Sequence, residues 1–256
     1  MIEGGAERMR YAGKRVVVVG GGAGIGRAVA RGFASEGAAV GVVGRTLATL
    51  GETVADPAFG RHAVAEGDVT DAEGIAAAIA SVAERLGGLD VAVNTAGTFV
   101  NGTAEDADPD AVARLFETNV LGTWLAMRAE VPLLRETGGG VVINFSSNIG
   151  GHRVRPGLGA YGASKAAVSA MTRSAALDHI DEGVRICAIS PGPSDTTMSI
   201  RPGETLQDRD ARVAQQNPAG RVARLDEITE ATLYLASDAA AYCVGTDLRI
   251  DGGAAA

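Results

Sequence analysis

The feature that most constrains this chain is a junction near its start. Val16-Val17-Val18-Val19 is followed at once by Gly20-Gly21-Gly22-Ala23-Gly24-Ile25-Gly26, and residues 27–35 then read as a helix ended by Gly37. A run of β-branched residues fits a strand buried on both faces, which requires a sheet covered by helices on each side. Glycines at 20, 24 and 26 let the backbone turn tightly and approach a bound group with no Cβ in the way. The N–H groups that open the following helix then face negative charge. A glycine-rich turn alone says little; placed between a strand and a helix, the G-x-x-x-G-x-G spacing points to a dinucleotide pyrophosphate.

The same rhythm continues along the chain. Short apolar runs predict further strands at 39–43, 62–65, 89–93, 141–145, 184–189 and 247–250. Helical patterns fall between them at 47–54, 72–86, 112–135 with an interruption at Gly122, 160–180 and 226–237. Strands alternating with helices imply an α/β fold: a doubly wound parallel sheet of about seven strands with right-handed crossovers and helices on both faces. No repeat or linker divides the chain, so residues 1–256 read as one domain. Residues 1–13 look like a loose leader. The segment 193–220 breaks the rhythm, being polar and carrying Pro202 and Pro218; it reads as a substrate lid or as a solvated surface loop, with or without short helices.

Composition narrows the class. Aromatic residues make up only 4%, and the apolar content is mostly Ala and Val, which suits close helix packing on a sheet. A net charge of −8 with no basic stretch argues against a nucleic-acid partner. Cys187 and Cys243 match no metal or redox spacing and read as buried free thiols in a reducing compartment. No apolar run is long enough for a bilayer span and no apolar signal region opens the chain, so a soluble, cytoplasmic protein is expected. No metal site is expected from the three histidines.

A second constellation is Tyr161-Gly162-Ala163-Ser164-Lys165, at the head of the helix 160–180. Four-residue spacing puts the phenol and the ammonium one turn apart on a single face. A cation beside a phenol favours phenolate and moves its pKa down from about 10, toward the working range of an acid–base catalyst. Such pairs are also frequent on exposed helices, so what accompanies this one decides its reading.

The accompaniment resembles a known family. Gly20-x-x-x-Gly24-Ile25-Gly26 together with Tyr161-x-x-x-Lys165 is similar to the short-chain dehydrogenase/reductase family, in its single-domain, Rossmann-type subgroup, and the resemblance covers nearly the whole chain. The subgroup includes 3-oxoacyl-ACP reductase-like and hydroxysteroid dehydrogenase-like members. Asp68-Val69 looks like the family's adenine-side contact, and Asn94-Thr95-Ala96-Gly97 like its Asn-Asn-Ala-Gly segment. Asn119, the serine segment Ser146-Ser147-Asn148-Ile149-Gly150, Pro191-Gly192 with Thr196, and Asp251-Gly252-Gly253 follow in the family's order. Val19 departs from the usual Thr and loses a hydroxyl that would brace the turn; Thr95 departs from the second Asn, a milder loss of the same kind. Pro193-Ser194 departs from the usual residues before Thr196.

The resemblance implies a catalytic set of Ser147, Tyr161, Lys165 and Asn119. Tyr161 would exchange a proton with the substrate oxygen, Ser147 would hydrogen-bond that oxygen, and Lys165 would lower the phenol pKa and hold the nicotinamide ribose. Asn119 would hold a water linking Lys165 to solvent, or would only mark a helix kink. The dinucleotide would rest on Gly20, Gly22, Gly24, Ile25, Gly26, Arg45, Asp68, Val69, Asn94, Ala96, Gly97, Tyr161, Lys165, Pro191, Gly192 and Thr196. At the end of the second strand Gly44 stands where an acidic residue would select NAD, and Arg45 follows; NADP(H) is therefore preferred, with NAD(H) possible and Arg45 otherwise a solvated residue.

The substrate is expected to be a small ketone or secondary alcohol bound among residues 98–102, 148–158 and the lid. His152, Arg153 and Arg155 meet an acidic or polar substrate, or else serve as solvated or subunit-contact residues. Subunits are expected to pair through the long helices into a homotetramer or homodimer. The competing reading is a non-catalytic nucleotide-binding or regulatory protein on the same fold; an epimerase of the extended branch fits neither the chain length nor the glycine spacing.

Overall fold

A computed structural model describes residues 9–256. Its centre is a single seven-stranded parallel sheet in the order β3-β2-β1-β4-β5-β6-β7. The strands are β1 Arg15–Val19, β2 Ala39–Gly44, β3 His62–Glu66, β4 Val91–Asn94, β5 Gly140–Phe145, β6 Val184–Pro191 and β7 Asp247–Ile250. The helices are α1 Gly24–Ser35, α2 Leu47–Val54, α3 Ala72–Leu86, α4 Pro109–Phe116, α5 Gly122–Glu136, the short turn α6 Asn148–Gly151, α7 Gly159–His179, α8 Leu206–Gln216 and α9 Leu225–Ala236.

The first strand shows why the sheet is covered on both sides. Val16 and Val18 pack with Phe33, Ile228 and Leu233 of α1 and α9, whereas Val17 and Val19 pack with Ile75, Ile79 and Leu125 of α3 and α5. Alternate residues point to opposite faces, and all four valines are at most 1% exposed. Each such burial contributes roughly 1.5–3 kcal/mol. The strand order reverses between β1 and β4, which opens a crevice at the carboxyl ends of the strands where ligands bind in such sheets.

Three expectations change. Residues 9–13 are anchored: Tyr11 is 3% exposed, donates to the Leu233 carbonyl and meets Phe33 edge-on, while Arg10 pairs with Glu36 and Glu230. The rest of the expected leader, and with it the start of the reading on a signal segment, lies outside the described residues. The break in the helix at 112–135 is a π-helical segment, Glu117–Leu121, that ends just before Gly122. Cys187 is buried but Cys243 is only half-buried, and both thiols are free. Among the described residues no helix is long and apolar enough to cross a membrane.

The 193–220 segment is largely ordered structure. A single 3-10 turn, Thr197–Ser199, leads to α8, whose start is fixed by a capping box between Thr205 and Asp208. Arg209 and Arg212 tie α8 back to Asp195 and Glu204.

Candidate active site

The glycine loop leaves β1 and closes against the loop after β4. Gly20 has φ +84°, and a Cβ there would lie 2.6 Å from the Ala96 nitrogen; a Cβ at Gly26 would run into the Gly20 carbonyl and the Thr95 hydroxyl. Only glycine fits both places. The brace expected to be lost at Val19 is supplied from across the crevice: Thr95 Oγ1 donates to the Val19 carbonyl at 2.8 Å. Two of the three departures noted in the sequence, Val19 and Thr95, thus meet in one contact.

At the start of α1, Ala23 gives no side-chain cap and the first turn holds no carboxylate, so the opening N–H groups of Gly24, Ile25 and Gly26 face the crevice without a side-chain acceptor. Gly22 carries the turn, its carbonyl held by Arg27 Nε at 3.1 Å. The Thr196 methyl would be 3.4 Å from a Cβ on Gly24, so the 193–220 segment begins beside the glycine loop. Pro191 and Gly192 end β6 next to β7, where Gly192 leaves no room for a side chain against Asp251.

Arg45 is exposed at the end of β2 and makes no ion pair or side-chain hydrogen bond among the described residues. Asp68 is oriented by Thr70, whose N–H and hydroxyl both donate to Oδ1 at 2.9 Å. Val69 is buried and packs on Gly122. Ala96 faces Gly20 across the crevice.

Asn94 departs from its expected place. Its side chain turns into the core, where Nδ2 donates to Glu130 Oε2 at 2.9 Å and to Asn144 Oδ1 at 3.1 Å. Strand alternation is the cause: with Val93 and Thr95 turned one way, Asn94 must turn the other. Asn144 continues the chain to Thr172 of α7 at 3.0 Å. Glu130 is fully buried, and burial pushes its carboxyl up to about 7. Glu130 Oε1 and Asn94 Oδ1 are buried without partners. A protonated carboxyl avoids leaving an uncompensated charge in this buried cluster.

On the other side of β5 stand the expected chemical groups. Ser147, Tyr161, Lys165 and Asn119 are all at most 9% exposed. Burial raises the Tyr161 phenol, and the Ser147 hydroxyl beside it draws the pKa back down. Burial also lowers Lys165, to about 8. The expected depression of the phenol by Lys165 is replaced by these two influences, because the ammonium is turned to the Phe145 carbonyl, donating at 2.8 Å. Ser146 supports the strand end: it bonds the Lys165 carbonyl at 2.9 Å and Ser169 at 2.7 Å. Ser169 and Ser190 in turn donate to Asp247 on β7, each at 2.5 Å.

Asn119 sits in the π-helical segment, a distortion frequent at functional sites. Its side chain accepts from the Thr98 N–H at 2.7 Å and donates to the Thr98 carbonyl at 3.0 Å and to Ser164 at 3.1 Å. It pins the loop after β4 to α7. A Cβ on Gly97 would lie 3.3 Å from both Asn119 Oδ1 and Lys165 Nζ, so this glycine keeps open the space between them.

Sequence reasoning missed the parts that depend on burial. Glu130 showed only as a helix residue, Asp247 as the first residue of a strand, and Phe99 as one of a range; in the folded chain the Phe99 ring lies 4.9 Å from that of Tyr161. A charged residue on an otherwise apolar helix stripe was the one available signal for Glu130.

Known proteins with this sequence pattern share the fold. A family model described as enoyl-(acyl carrier protein) reductase matches residues 20–255. A 2,5-dichloro-2,5-cyclohexadiene-1,4-diol dehydrogenase of Sphingobium indicum is 36% identical over 252 residues, covering 95% of this chain and 97% of the relative. A trans-4-hydroxycyclohexanecarboxylate dehydrogenase of Sinomonas cyclohexanicum is 36% identical over 254 residues, covering 95% and 93%. The structure of a short-chain type dehydrogenase/reductase from Mycobacterium marinum superposes with a TM-score of 0.89 at 31% identity, covering 97% of this chain and 98% of that one. With the glycine loop and the parallel sheet already in place, these likenesses show that the chain belongs to the short-chain dehydrogenase/reductase family, as an NAD(P)-dependent oxidoreductase acting on CH–OH groups.

Proposed function

We propose that the protein interconverts a ring-bearing secondary alcohol and its ketone, with Tyr161 as general acid and base and NADP(H) as the preferred dinucleotide. The observation that carries this reading is the placing of the Ser147 hydroxyl beside the buried Tyr161 phenol, one helical turn from Lys165. Both relatives named above act on cyclohexane-type rings, and the wall beside Tyr161 is apolar, made of Phe99, Val100, Ile149 and Leu158.

The nicotinamide supplies or accepts the hydride. This chain's residues bind it and manage the proton. The glycine loop and the uncapped start of α1 hold the pyrophosphate; Asp68 and Val69 lie on the adenine side; Pro191, Gly192 and Thr196 lie on the nicotinamide side. Tyr161 gives its proton to the carbonyl oxygen in reduction and takes it from the alcohol in oxidation. Ser147 donates to the same oxygen as charge develops there. Lys165, its ammonium anchored on the Phe145 carbonyl, holds the nicotinamide ribose, and Asn119 pins the loop after β4 to α7. Arg45, free at the end of β2, meets a ribose 2′-phosphate as a bidentate fork, and Gly44 puts no carboxylate against it.

Subunits pair through α5 and α7, where Trp124 and Leu177 are exposed beside an apolar groove lined by Met127, Val131 and Met171. Light scattering on the purified chain tests that. The activity is tested by a panel of cyclic and open-chain alcohols and ketones with each dinucleotide. Turnover of a cyclic secondary alcohol supports the reading, and tight NADPH binding with no turnover on any member favours a regulatory binder instead.

A further inference from the structure

The segment that carries Ser147 is tied at both ends to one buried carboxylate. Asp247 opens β7 opposite Ala188 of β6, and its side chain is only 7% exposed. Oδ1 accepts the Ser190 hydroxyl and Oδ2 the Ser169 hydroxyl, each at 2.5 Å. A hydroxyl has one proton to give, and a charged carboxylate is the strongest acceptor in reach. Ser169 therefore keeps a lone pair for Ser146, whose Oγ lies 2.7 Å away. Ser146 is the chain neighbour of Ser147.

The far end of the segment meets the same carboxylate. His152 follows the short turn α6, and its Nε2 lies 3.3 Å from Asp247 Oδ2. That nitrogen is shut off from solvent and has no aligned hydrogen-bond acceptor, so the charge of Asp247 is what holds it. Between the two ends the chain closes on itself: the Gly150 N–H donates to the Arg153 carbonyl at 2.8 Å. A Cβ on Gly150 would run into the Gly162 carbonyl of α7, and one on Gly151 would come 3.5 Å from Ser169 Oγ and 3.9 Å from Asp247 Oδ2. The Ile149 N–H donates to Ser147 Oγ at 3.2 Å, which leaves that hydroxyl its own proton to give.

We infer that Asp247 is a positioning residue for the reaction: its carboxylate clamps the segment Ser146–His152 at both ends and so aims the Ser147 hydroxyl. This rests on the proposed roles of Ser147 and Tyr161 and adds a residue from the far end of the chain, acting through Ser169, Ser146 and His152.

The test is a double-mutant cycle in the full-length protein between Asp247→Asn and Ser147→Ala. Asparagine keeps the shape of the carboxylate, but its Nδ2 accepts no proton, so one serine loses its acceptor. With the best secondary alcohol of the panel, Ser147→Ala should lower kcat about 10²-fold and Asp247→Asn about ten-fold, each leaving dinucleotide affinity within a small factor of the parent. The double variant should match Ser147→Ala alone, because the aim of a hydroxyl does not matter once it is gone. A carboxylate that only supports the fold would multiply the two losses, to about 10³-fold, and that result overturns the inference.

The phenol offers a readout that needs no substrate. The Ser147 hydroxyl draws the Tyr161 pKa down, so Ser147→Ala and Asp247→Asn should both move the ultraviolet titration of this phenol to higher pH, taken as the difference from Tyr161→Phe in the same background. His152→Ala removes one end of the clamp at a partly exposed ring, which spares the fold, and should shift the titration the same way by less. An unmoved titration in Ser147→Ala, or in His152→Ala whether or not Asp247→Asn folds, overturns the clamp. If no alcohol turns over and the titration still moves with Asp247 as with Ser147, the oxidoreductase reading fails and the clamp stands.

Discussion

The two halves of the crevice are built on different principles. On the β1 side the crevice is mostly backbone: glycine positions that exclude a Cβ, an uncapped helix start and a threonine hydroxyl on a carbonyl. On the β5 side the site is mostly side chains, each held by a partner far away in sequence: Lys165 by Phe145, Asn119 by Thr98 and Ser164, Ser146 by Ser169. The first half has no room for a Cβ at Gly20 or Gly26, while the second depends on side-chain partners. Between them lies the buried chain Glu130–Asn94–Asn144–Thr172, joining the strand ends from which both halves project.

The sharpest way to separate the halves is Tyr161→Phe. It removes the proton donor alone, so kcat should fall about 10²–10⁴-fold while dinucleotide affinity, read by fluorescence titration, stays within a small factor. Near-parental turnover would sink the assignment of acid–base work to the β5 side.

Glu130→Gln probes the seam. Burial raises the folded-state carboxyl from 4.5 to about 7, so the folded chain holds a proton that the unfolded chain has released. Stability contributed by the protonated acid is present below pH 4.5 and falls as pH rises toward about 7, by about 3 kcal/mol across that window. Glutamine is neutral at every pH, so urea unfolding of the variant should lose this slope and exceed the parent in stability at pH 8. A parallel pH slope in both proteins would refute the neutral acid.

Gly26→Ala breaks the other half. Its Cβ meets the Gly20 carbonyl and the Thr95 hydroxyl, which should cost about 1–3 kcal/mol of stability and weaken dinucleotide binding by about ten-fold or more, with the phenol untouched. Unchanged affinity would mean that the loop does not carry the pyrophosphate.

Gly44→Asp is the mildest of the set. A Cβ there meets the flexible Leu50 side chain at 3.3 Å, so the fold accommodates it. Preference should move from NADP toward NAD by about ten-fold, about 1.4 kcal/mol, measured as the ratio of kcat/KM values. The pH profile adds a last refinement. Because burial raises the Tyr161 phenol, alcohol oxidation, which needs phenolate, should accelerate from neutral to alkaline pH; ketone reduction should stay level until the phenol ionises.

Particular residues show how far the sequence could be read. The Val16–Val19 run and the glycine spacing were legible because β-branching, chain direction and the absence of a Cβ act within a few residues. The same local signals placed every strand of the sheet, with ends shifted by one residue at β1, β2, β3 and β5 and by up to two at β4 and β6. Tyr161 and Lys165 were legible as a spacing, and Ser147 over Ser146 as a distance from Gly150. What the spacing could not carry was the electrostatics. That Lys165 turns to Phe145, that Tyr161 answers to Ser147, and that Asn94 faces Glu130 depend on which strand lies beside which.

By itself, then, the sequence determined the parallel sheet and the glycine turn after its first strand, and it singled out Tyr161, Lys165 and Ser147 as the candidates for chemistry, since each rests on backbone geometry or on spacing within one segment. Tertiary structure alone decided which polar atoms are buried, which residues hold Lys165 and Asn119, and that the Glu130 carboxyl is shut off from water in the core. Burial and partnership arise between segments far apart in the chain, and desolvation acts only once those segments have met.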